Sequence, residues 1–203
     1  MTSTKRRVRQ KQYHHGDLRR SLLDGALSLI ELEGVAALSL REVARRIGVS
    51  HAAPHHHFEN KTLLLCAVAE EGFRALNAEM VAAVGLVSSE PAERLHAIGV
   101  AYVRFAAAHP AHFRVMFSAE VSGRQSTHSL REASAATFAQ LTSGLLAAGL
   151  TEEAARDAAL MAWSAVHGLA MLWIEGQLAL PGVASNVEAL ARKVVAGLSR
   201  RAP

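Results

Sequence analysis

Histidine is concentrated in one short segment of this chain, and the spacing there limits the chemistry available. Four of the eleven histidines are His51, His55, His56 and His57. Three consecutive imidazoles on a helix point in different directions and do not converge on one metal ion. His51 and His55 have the i, i+4 spacing that can bind zinc, so a metal site is one alternative. Exposed imidazoles also hydrogen-bond to bases and phosphates, and the neighbouring residues favour that use. We therefore predict no metal ion and no cofactor.

The residues around these histidines predict two short helices joined by a tight turn, over residues 39–61. Ser39 and Glu42 have the spacing of a capping box, which begins a helix. Gly48 ends that helix, because glycine tolerates the left-handed backbone of a helix exit. The apolar residues between them share one face: Leu40, Val43, Ala44 and Ile47. This pattern is typical of a helix-turn-helix, whose second helix lies in the DNA major groove.

The second helix is predicted over residues 52–58, and Pro54 limits how it can begin. Proline lacks the N–H that a helix needs after its first turn. We therefore expect either an N-cap at His51 or a loosened first turn. Asn60 is expected to cap the helix that follows, with Lys61 as its first residue.

These residues resemble the DNA-binding domain of the TetR family of transcriptional regulators, over about residues 13–76. The resemblance lies in residues 39–44, 47–50 and 53–61, followed by Leu63 and Leu64. In that family a tyrosine that touches a DNA phosphate commonly stands where this chain has His55. The resemblance also implies that Lys61 lies close to a DNA phosphate. It would stand at the start of a helix that links the DNA-binding domain to the rest of the protein.

We predict a DNA-binding surface made by the two short helices and the start of the next one. Arg41 is a phosphate candidate, with a merely solvated arginine as the alternative. Ala52 and Ala53 are small enough to let the backbone approach thymine methyl groups. His57 lies next to Phe58 and is expected to be partly buried and structural. The predicted DNA-binding residues are Ser39, Arg41, Ser50, His51, Ala52, Ala53, His55, His56 and Lys61.

Charge is distributed unevenly along the 203 residues. Residues 1–61 carry eleven Lys/Arg and six Asp/Glu, a net charge of +5, whereas residues 62–203 carry eleven and twelve, a net charge of −1. A basic end on a near-neutral body favours nucleic acid as the partner, although a solvated basic tail would look similar. The single cysteine, Cys66, excludes an internal disulfide and fits a cytoplasmic location. We expect no signal peptide and no membrane-spanning stretch.

The apolar spacing predicts an all-α protein with two domains. Residues 1–12 form a basic arm that we expect to be disordered, and that either follows DNA or has no role. Residues 13–76 form the three-helix DNA-binding domain, and residues 77–203 a larger helical domain for effector binding and dimerisation. Helices are predicted over residues 14–34, 60–84, 91–109, 129–148, 152–178 and 185 onward, with a short segment at 111–117. Capping boxes at Ser129–Glu132 and Ser185–Glu188 mark two of the starts.

The helix predicted over residues 152–178 is apolar on nearly all its faces, so it must be covered on all sides. One side can meet its own domain and another a second copy of the chain. Together with the last helix it predicts a four-helix interface in a homodimer. Within it, Trp163, His167 and Gly168 resemble a Trp-x-x-x-His-Gly signature of one TetR subgroup.

Aromatic and methionine side chains in the larger domain predict a pocket for a small hydrophobic effector, with Tyr102 and His167 as its polar anchors. The alternative is that these side chains are ordinary core. The candidate residues are Tyr102, Phe105, Phe113, Met116, Phe117, Met161, Trp163, His167 and Met171.

The resulting hypothesis is a dimeric regulator, a repressor released by its effector from a near-palindromic operator in double-stranded DNA. One alternative is an architectural DNA binder without an effector. Another is a helical enzyme that would depend on His167 or His109. No glycine-rich phosphate loop, convergent carboxylate pair or nucleophile motif is visible, so we predict that the chain is not an enzyme.

Overall fold

The computed structural model describes residues 15–180 and 186–199. Within those ranges the chain forms eight α-helices and several short 3₁₀ turns, with no strand, which confirms the predicted all-α class. The helices are α1 His15–Glu33, α2 Leu40–Ile47, α3 Lys61–Val84, α4 Pro91–Ala108, α5 Pro110–Met116, α6 His128–Ala147, α7 Glu152–Ile174 and α8 Val187–Ser199. The predicted basic arm lies outside the described residues.

The first three helices pack as a small head. Leu22, Leu29 and Ile30 of α1 are fully buried, as are Val43 of α2 and Leu64 of α3. Close packing of α1 on α2 depends on Gly25, since a Cβ built there would lie 2.6 Å from Cγ2 of Ile47. The two helices therefore have a fixed crossing, and this fixes the position of the turn that follows α2.

Helix α4 is the centre of the larger domain and packs against α3, α6, α7 and α8. Every residue from Ile98 to Val103 is buried, so α4 contacts neighbours on all of its faces. Its approach to α8 is close at Gly99, where a Cβ would lie 2.7 Å from Cγ2 of Val195. Helix α3 extends from the head into this domain and connects the two.

Most predicted helix ends agree with the structure, and three differ. Helix α6 is capped by Thr127, which accepts a hydrogen bond from the Leu130 N–H at 3.3 Å, while Ser129 instead donates to Glu70 at 2.8 Å. Helix α7 ends at Ile174, earlier than predicted. Helix α8 begins after Asn186, whose side chain accepts from the Ala189 N–H. The predicted break at residues 181–182 and the cap residue 185 lie outside the described residues.

Helix α7 carries apolar side chains on its exposed side. Met161 is 68% exposed, Leu160 54% and Leu172 42%. By length and composition α7 could cross a membrane, contrary to the expectation of no membrane-spanning stretch, and most of its apolar stretch is not buried. A helix that buries its apolar surface against a second protein chain has the same composition, so this feature alone is weak evidence for a membrane segment.

Candidate DNA-recognition surface and internal cavity

Helix α2 begins and ends at the predicted residues, with one of the two hydrogen bonds of the predicted capping box. The Ser39 side chain accepts a hydrogen bond from the Glu42 N–H at 3.1 Å, and the Glu42 carboxylate binds Arg45. Gly48 follows the helix with φ of 73°, in the left-handed region. The Val49 N–H then bonds to the Ala44 carbonyl at 3.0 Å, which closes the helix and turns the chain away.

The predicted second helix is shorter than expected. Instead of a helix over residues 52–58, the structure has a single 3₁₀ turn, Ala53–His56. Neither predicted start is found, since no α-helix forms here: Ala52 holds the N-cap position of the 3₁₀ turn, and no side chain caps it. Pro54 has no N–H to bond to the Ser50 carbonyl, so Ala53 donates to it instead, at 3.0 Å.

This 3₁₀ turn has a buried side and an exposed side. Pro54 is buried and Phe58 is only 4% exposed, so the two anchor the segment to the head. His55 and His56 are exposed, as are His51 and Ala52 before them. We call residues 51–57 the histidine turn. His57 is half-buried as predicted, and its Nε2 makes no hydrogen bond with described protein atoms.

Arginines on α2 differ in what they contact. Arg45 pairs with Glu42, and Arg46 donates to the Ser28 hydroxyl at 3.0 Å. Arg41 is exposed and makes no hydrogen bond or ion pair with any residue that the structure describes. Its guanidinium is therefore available to an external anion.

Lys61 has a contact that the sequence did not indicate. Its ammonium group donates to the Val35 carbonyl at 3.1 Å, and the Ala36 carbonyl lies 3.5 Å away. The side chain therefore ties the start of α3 to the turn between α1 and α2. Asn60 caps α3 as predicted, since its side chain accepts from the Leu63 N–H at 3.0 Å.

A cavity of about 390 Å³ lies in the larger domain, between α3, α4, α6 and α7. Three of the predicted effector residues line it, namely Tyr102, Phe117 and Trp163. The other lining residues were not predicted, because on α3 and α6 their helical spacing reads as ordinary core. They are Phe73, Met80, Arg131, Ser134, Ala135, Thr137, Phe138 and Leu141.

The remaining predicted effector residues lie elsewhere. Phe105, Phe113 and Met116 are buried in the hydrophobic core, the alternative left open from the sequence. Met161 is on the exposed side of α7 and cannot line this cavity as placed, and Met171 is half-buried against the core. The predicted pocket was therefore too broad, because three of its nine residues line the cavity.

Tyr102, which lines the cavity, is hydrogen-bonded to His167, which does not line it. The Tyr102 hydroxyl lies 2.8 Å from Nδ1 of His167 and accepts from Nε1 of Trp163 at 3.1 Å. Burial raises the pKa of Tyr102 far above its usual value, so its hydroxyl stays protonated. Burial also lowers the pKa of His167, which favours the neutral imidazole. The His167 ring stacks on Phe113, with centroids 5.4 Å apart.

No group of three His, Cys, Asp or Glu side chains in residues 15–180 and 186–199 is arranged to hold a metal ion. Cys66 is buried and its sulfur lies 3.5 Å from the Gln125 carbonyl oxygen.

Family comparisons match both parts of the chain. Residues 22–68 match the model described as bacterial regulatory proteins, tetR family. Residues 95–198, about half of the chain, match the model described as tetracyclin repressor-like, C-terminal domain. The first match contains the helix-turn-helix, and the second contains most of the cavity wall.

Similar proteins agree with these matches. A Rhodococcus sp. RHA1 protein of unknown function is 34% identical, with a TM-score of 0.79, over 94% of this chain and 98% of its own. A tetR-family regulatory protein from Rhodococcus RHA1 is 22% identical, with a TM-score of 0.68, over 90% of this chain and 95% of its own, and shows the fold alone.

Curated relatives match over only part of the chain. The HTH-type transcriptional regulator BetI of Rhizobium meliloti (strain 1021) is 38% identical over 80 residues, which is 39% of each protein. The chain therefore spans about two fifths of the length of the curated relatives it matches. With its helix-turn-helix head and its matched C-terminal domain, this chain belongs to the TetR family of transcriptional regulators.

Proposed function

We propose that this regulator is a cytoplasmic repressor that binds a near-palindromic operator as a homodimer and leaves it when a small molecule enters the cavity. The observation that carries the proposal is the histidine turn. Its buried side holds it against the head, while His55 and His56 face solvent, and Arg41 of the preceding helix is exposed and has no partner among the described residues. A short, rigid, exposed segment of this kind fits the major groove.

Each exposed group of this surface has a role in the proposal. His51, His55 and His56 bind base edges or phosphates, and Ala52 and Ala53 allow the backbone close to the groove. Ser39, Ser50 and Arg41 bind phosphates. Lys61 uses a further N–H for phosphate while it keeps its bond to the Val35 carbonyl, because an ammonium group has three donors.

Two heads are needed to read a near-palindrome, with centres about 34–36 Å apart or somewhat more. The exposed apolar side of α7 supplies the surface for pairing, and α8 packs beside it. Two copies of α7 and α8 then form the four-helix interface, in which each exposed side chain of α7 is covered by the partner.

The pairing predicts that Met161→Glu gives a monomer, because a carboxylate would be buried in an apolar interface without a partner. Sedimentation velocity measures the result, and operator affinity is expected to fall with the loss of the dimer. Leu32→Glu is the matched control, since Leu32 is 70% exposed on α1 and outside the interface. A Met161→Glu protein that still sediments as a dimer contradicts this assignment of the interface.

Effector control is proposed from the position of the cavity. Phe73 and Met80 of α3 line it, and the same helix begins at Lys61 in the head. A ligand that favours one position of α3 therefore also favours one position of the head. Release requires that the ligand bind more tightly to the arrangement that does not fit the operator.

The function is tested by selecting bound fragments from random DNA. We expect an inverted repeat, bound in a gel-shift assay with an affinity that falls steeply as salt rises, because phosphate contacts release counterions. Unselected DNA of the same length is the control. Failure to enrich any sequence, or binding that does not change with salt, would count against the proposal.

A further inference from the structure

The internal cavity carries one charged side chain, and this points to the class of its ligand. Its eleven lining residues are apolar, aromatic, hydroxyl-bearing or arginine, and none is Asp, Glu, Lys or His. The charge belongs to Arg131. A cationic ligand would find no counter-charge in this wall, whereas an anionic ligand would find one.

Arg131 is free to bind an anion. Its guanidinium donates to the Ser126 carbonyl, and no carboxylate among the described residues forms an ion pair with it. The nearby Glu70 carboxylate is already bound, to Arg74 at 2.8 Å and to the Ser129 hydroxyl. A guanidinium has five N–H donors, so most remain for a carboxylate, which it can bind through two parallel bonds.

Apart from Arg131, the cavity wall has few polar groups that could hydrogen-bond to a ligand. The Tyr102 hydroxyl is engaged by Trp163 and His167, and the Thr137 hydroxyl donates to the Ala133 carbonyl at 3.0 Å. The Ser134 hydroxyl donates to the Arg131 carbonyl, also at 3.0 Å. Every hydroxyl group on the wall therefore already has a protein partner, and the deep part favours an apolar body.

Aromatic rings shape that deep part. Phe73 and Phe117 have centroids 5.5 Å apart, and Phe138 and Trp163 have centroids 6.0 Å apart, both close to edge-to-face. Arg131 and Ala135 are exposed, so they mark the mouth. The volume of about 390 Å³ is near the lower end of the range of about 300–1,000 Å³ for small-molecule sites.

We propose that the cavity binds a small amphipathic monocarboxylate, with its apolar body among the aromatic rings and its carboxylate on Arg131. This inference rests on the proposed function, since it names the effector class of the same cavity. Both acyl carboxylates and aryl carboxylates have the required chemistry.

Calorimetric titration of the full chain at pH 7 tests the proposed ligand class. The probes are naphthoate, naphthol and naphthylmethylamine, which share a ring system and are negative, neutral and positive, respectively. Naphthoate is expected to bind roughly tenfold or more tightly than the other two, as one charged hydrogen-bonded pair would give. A second pair of probes, octanoate and octanol, repeats the comparison of acid with alcohol for an acyl chain. Whichever carboxylate binds more tightly, naphthoate or octanoate, shows whether the cavity prefers an aryl or an acyl group. Equal affinity for the three charges, or no binding by any carboxylate, would overturn the inference.

Arg131→Gln is the decisive variant, because Arg131 is exposed and the substitution leaves the fold intact. It is expected to lower naphthoate affinity by roughly tenfold or more and to change naphthol affinity less than twofold. Arg124→Gln is the matched control, because Arg124 is exposed nearby but does not line the cavity. A charge preference that survives in Arg131→Gln overturns the assignment.

The effector role is measured separately from the ligand class. Adding naphthoate or octanoate to the operator complex asks whether binding releases DNA. Arg131-dependent binding without release supports the ligand class and contradicts effector control. Release that does not depend on Arg131 contradicts the ligand class and leaves effector control standing.

Discussion

Replacement of Arg41 and Lys61 together by glutamate is expected to abolish operator binding while the protein remains folded. Each change removes a phosphate contact of the proposed surface and adds a charge that phosphate repels. Two charged hydrogen bonds correspond to a loss on the order of hundredfold or more. Gel-shift titration at several salt concentrations measures the result. Because the slope of log affinity against log salt reports phosphate contacts, it should shrink by about 0.9 for each one lost.

Single variants separate the two residues. Arg41 has no described partner, so Arg41→Glu tests the DNA contact alone. Lys61→Glu also breaks the bond to the Val35 carbonyl, and its melting temperature must be compared with that of the parent protein. Arg94→Glu, the same charge change on an exposed position of α4, should leave operator affinity nearly unchanged. If the Arg41→Glu and Arg94→Glu proteins bind the operator with equal affinity, Arg41 does not belong to the DNA-binding surface.

Phe58→Ala is expected to have the largest effect on stability. The ring is 4% exposed, belongs to the hydrophobic core and lies under Arg19, whose guanidinium carbon is 5.4 Å from the ring centroid. Truncation of a buried phenylalanine costs about 3–5 kcal/mol through lost burial and the cavity left behind. The same side chain anchors the histidine turn, so operator affinity should fall as well. Urea unfolding measures the first effect and gel shift the second.

Phe58→Leu is the milder truncation and should cost less than Phe58→Ala, because leucine leaves a smaller empty volume in the core. His56→Ala, at an exposed position of the same turn, should leave stability nearly unchanged while it weakens DNA binding. If Phe58→Ala unfolds at the urea concentration of the parent protein, the turn is not anchored through this ring. Together, the Phe58 and His56 variants distinguish a residue that anchors the histidine turn from one that contacts DNA.

Local interactions made much of the fold predictable from the sequence. Ser39 and Asn60 cap helices, and Gly48 takes the left-handed conformation, because each of these contacts is made within about one helical turn of the chain. The apolar spacing likewise identified the helices, since a buried face repeats with the helical period. Errors at this level were small: the cap of α6 is Thr127, two residues before the predicted Ser129.

Contacts between distant parts of the chain could not be predicted in this way. The cavity is formed by α3 and α6 with α4 and α7, and residues such as Phe73 and Phe138 have no local feature that distinguishes them from core. Lys61 meets Val35 across 26 residues, and Tyr102 meets His167 across 65. Side-chain spacing shows which face of a helix is buried but not which neighbour covers it or where a gap remains.

The sequence by itself therefore determined the helical class, most helix ends and the position of the helix-turn-helix, because short-range hydrogen bonds and helical periodicity decide them. Only the tertiary structure decided that the segment after α2 is a 3₁₀ turn anchored by Pro54 and Phe58. It also decided that Arg41 has no partner among the described residues while Lys61 is engaged, and that Arg131 is the charged residue of the cavity wall. These features depend on packing between segments far apart in the chain, where small differences in position determine which groups meet.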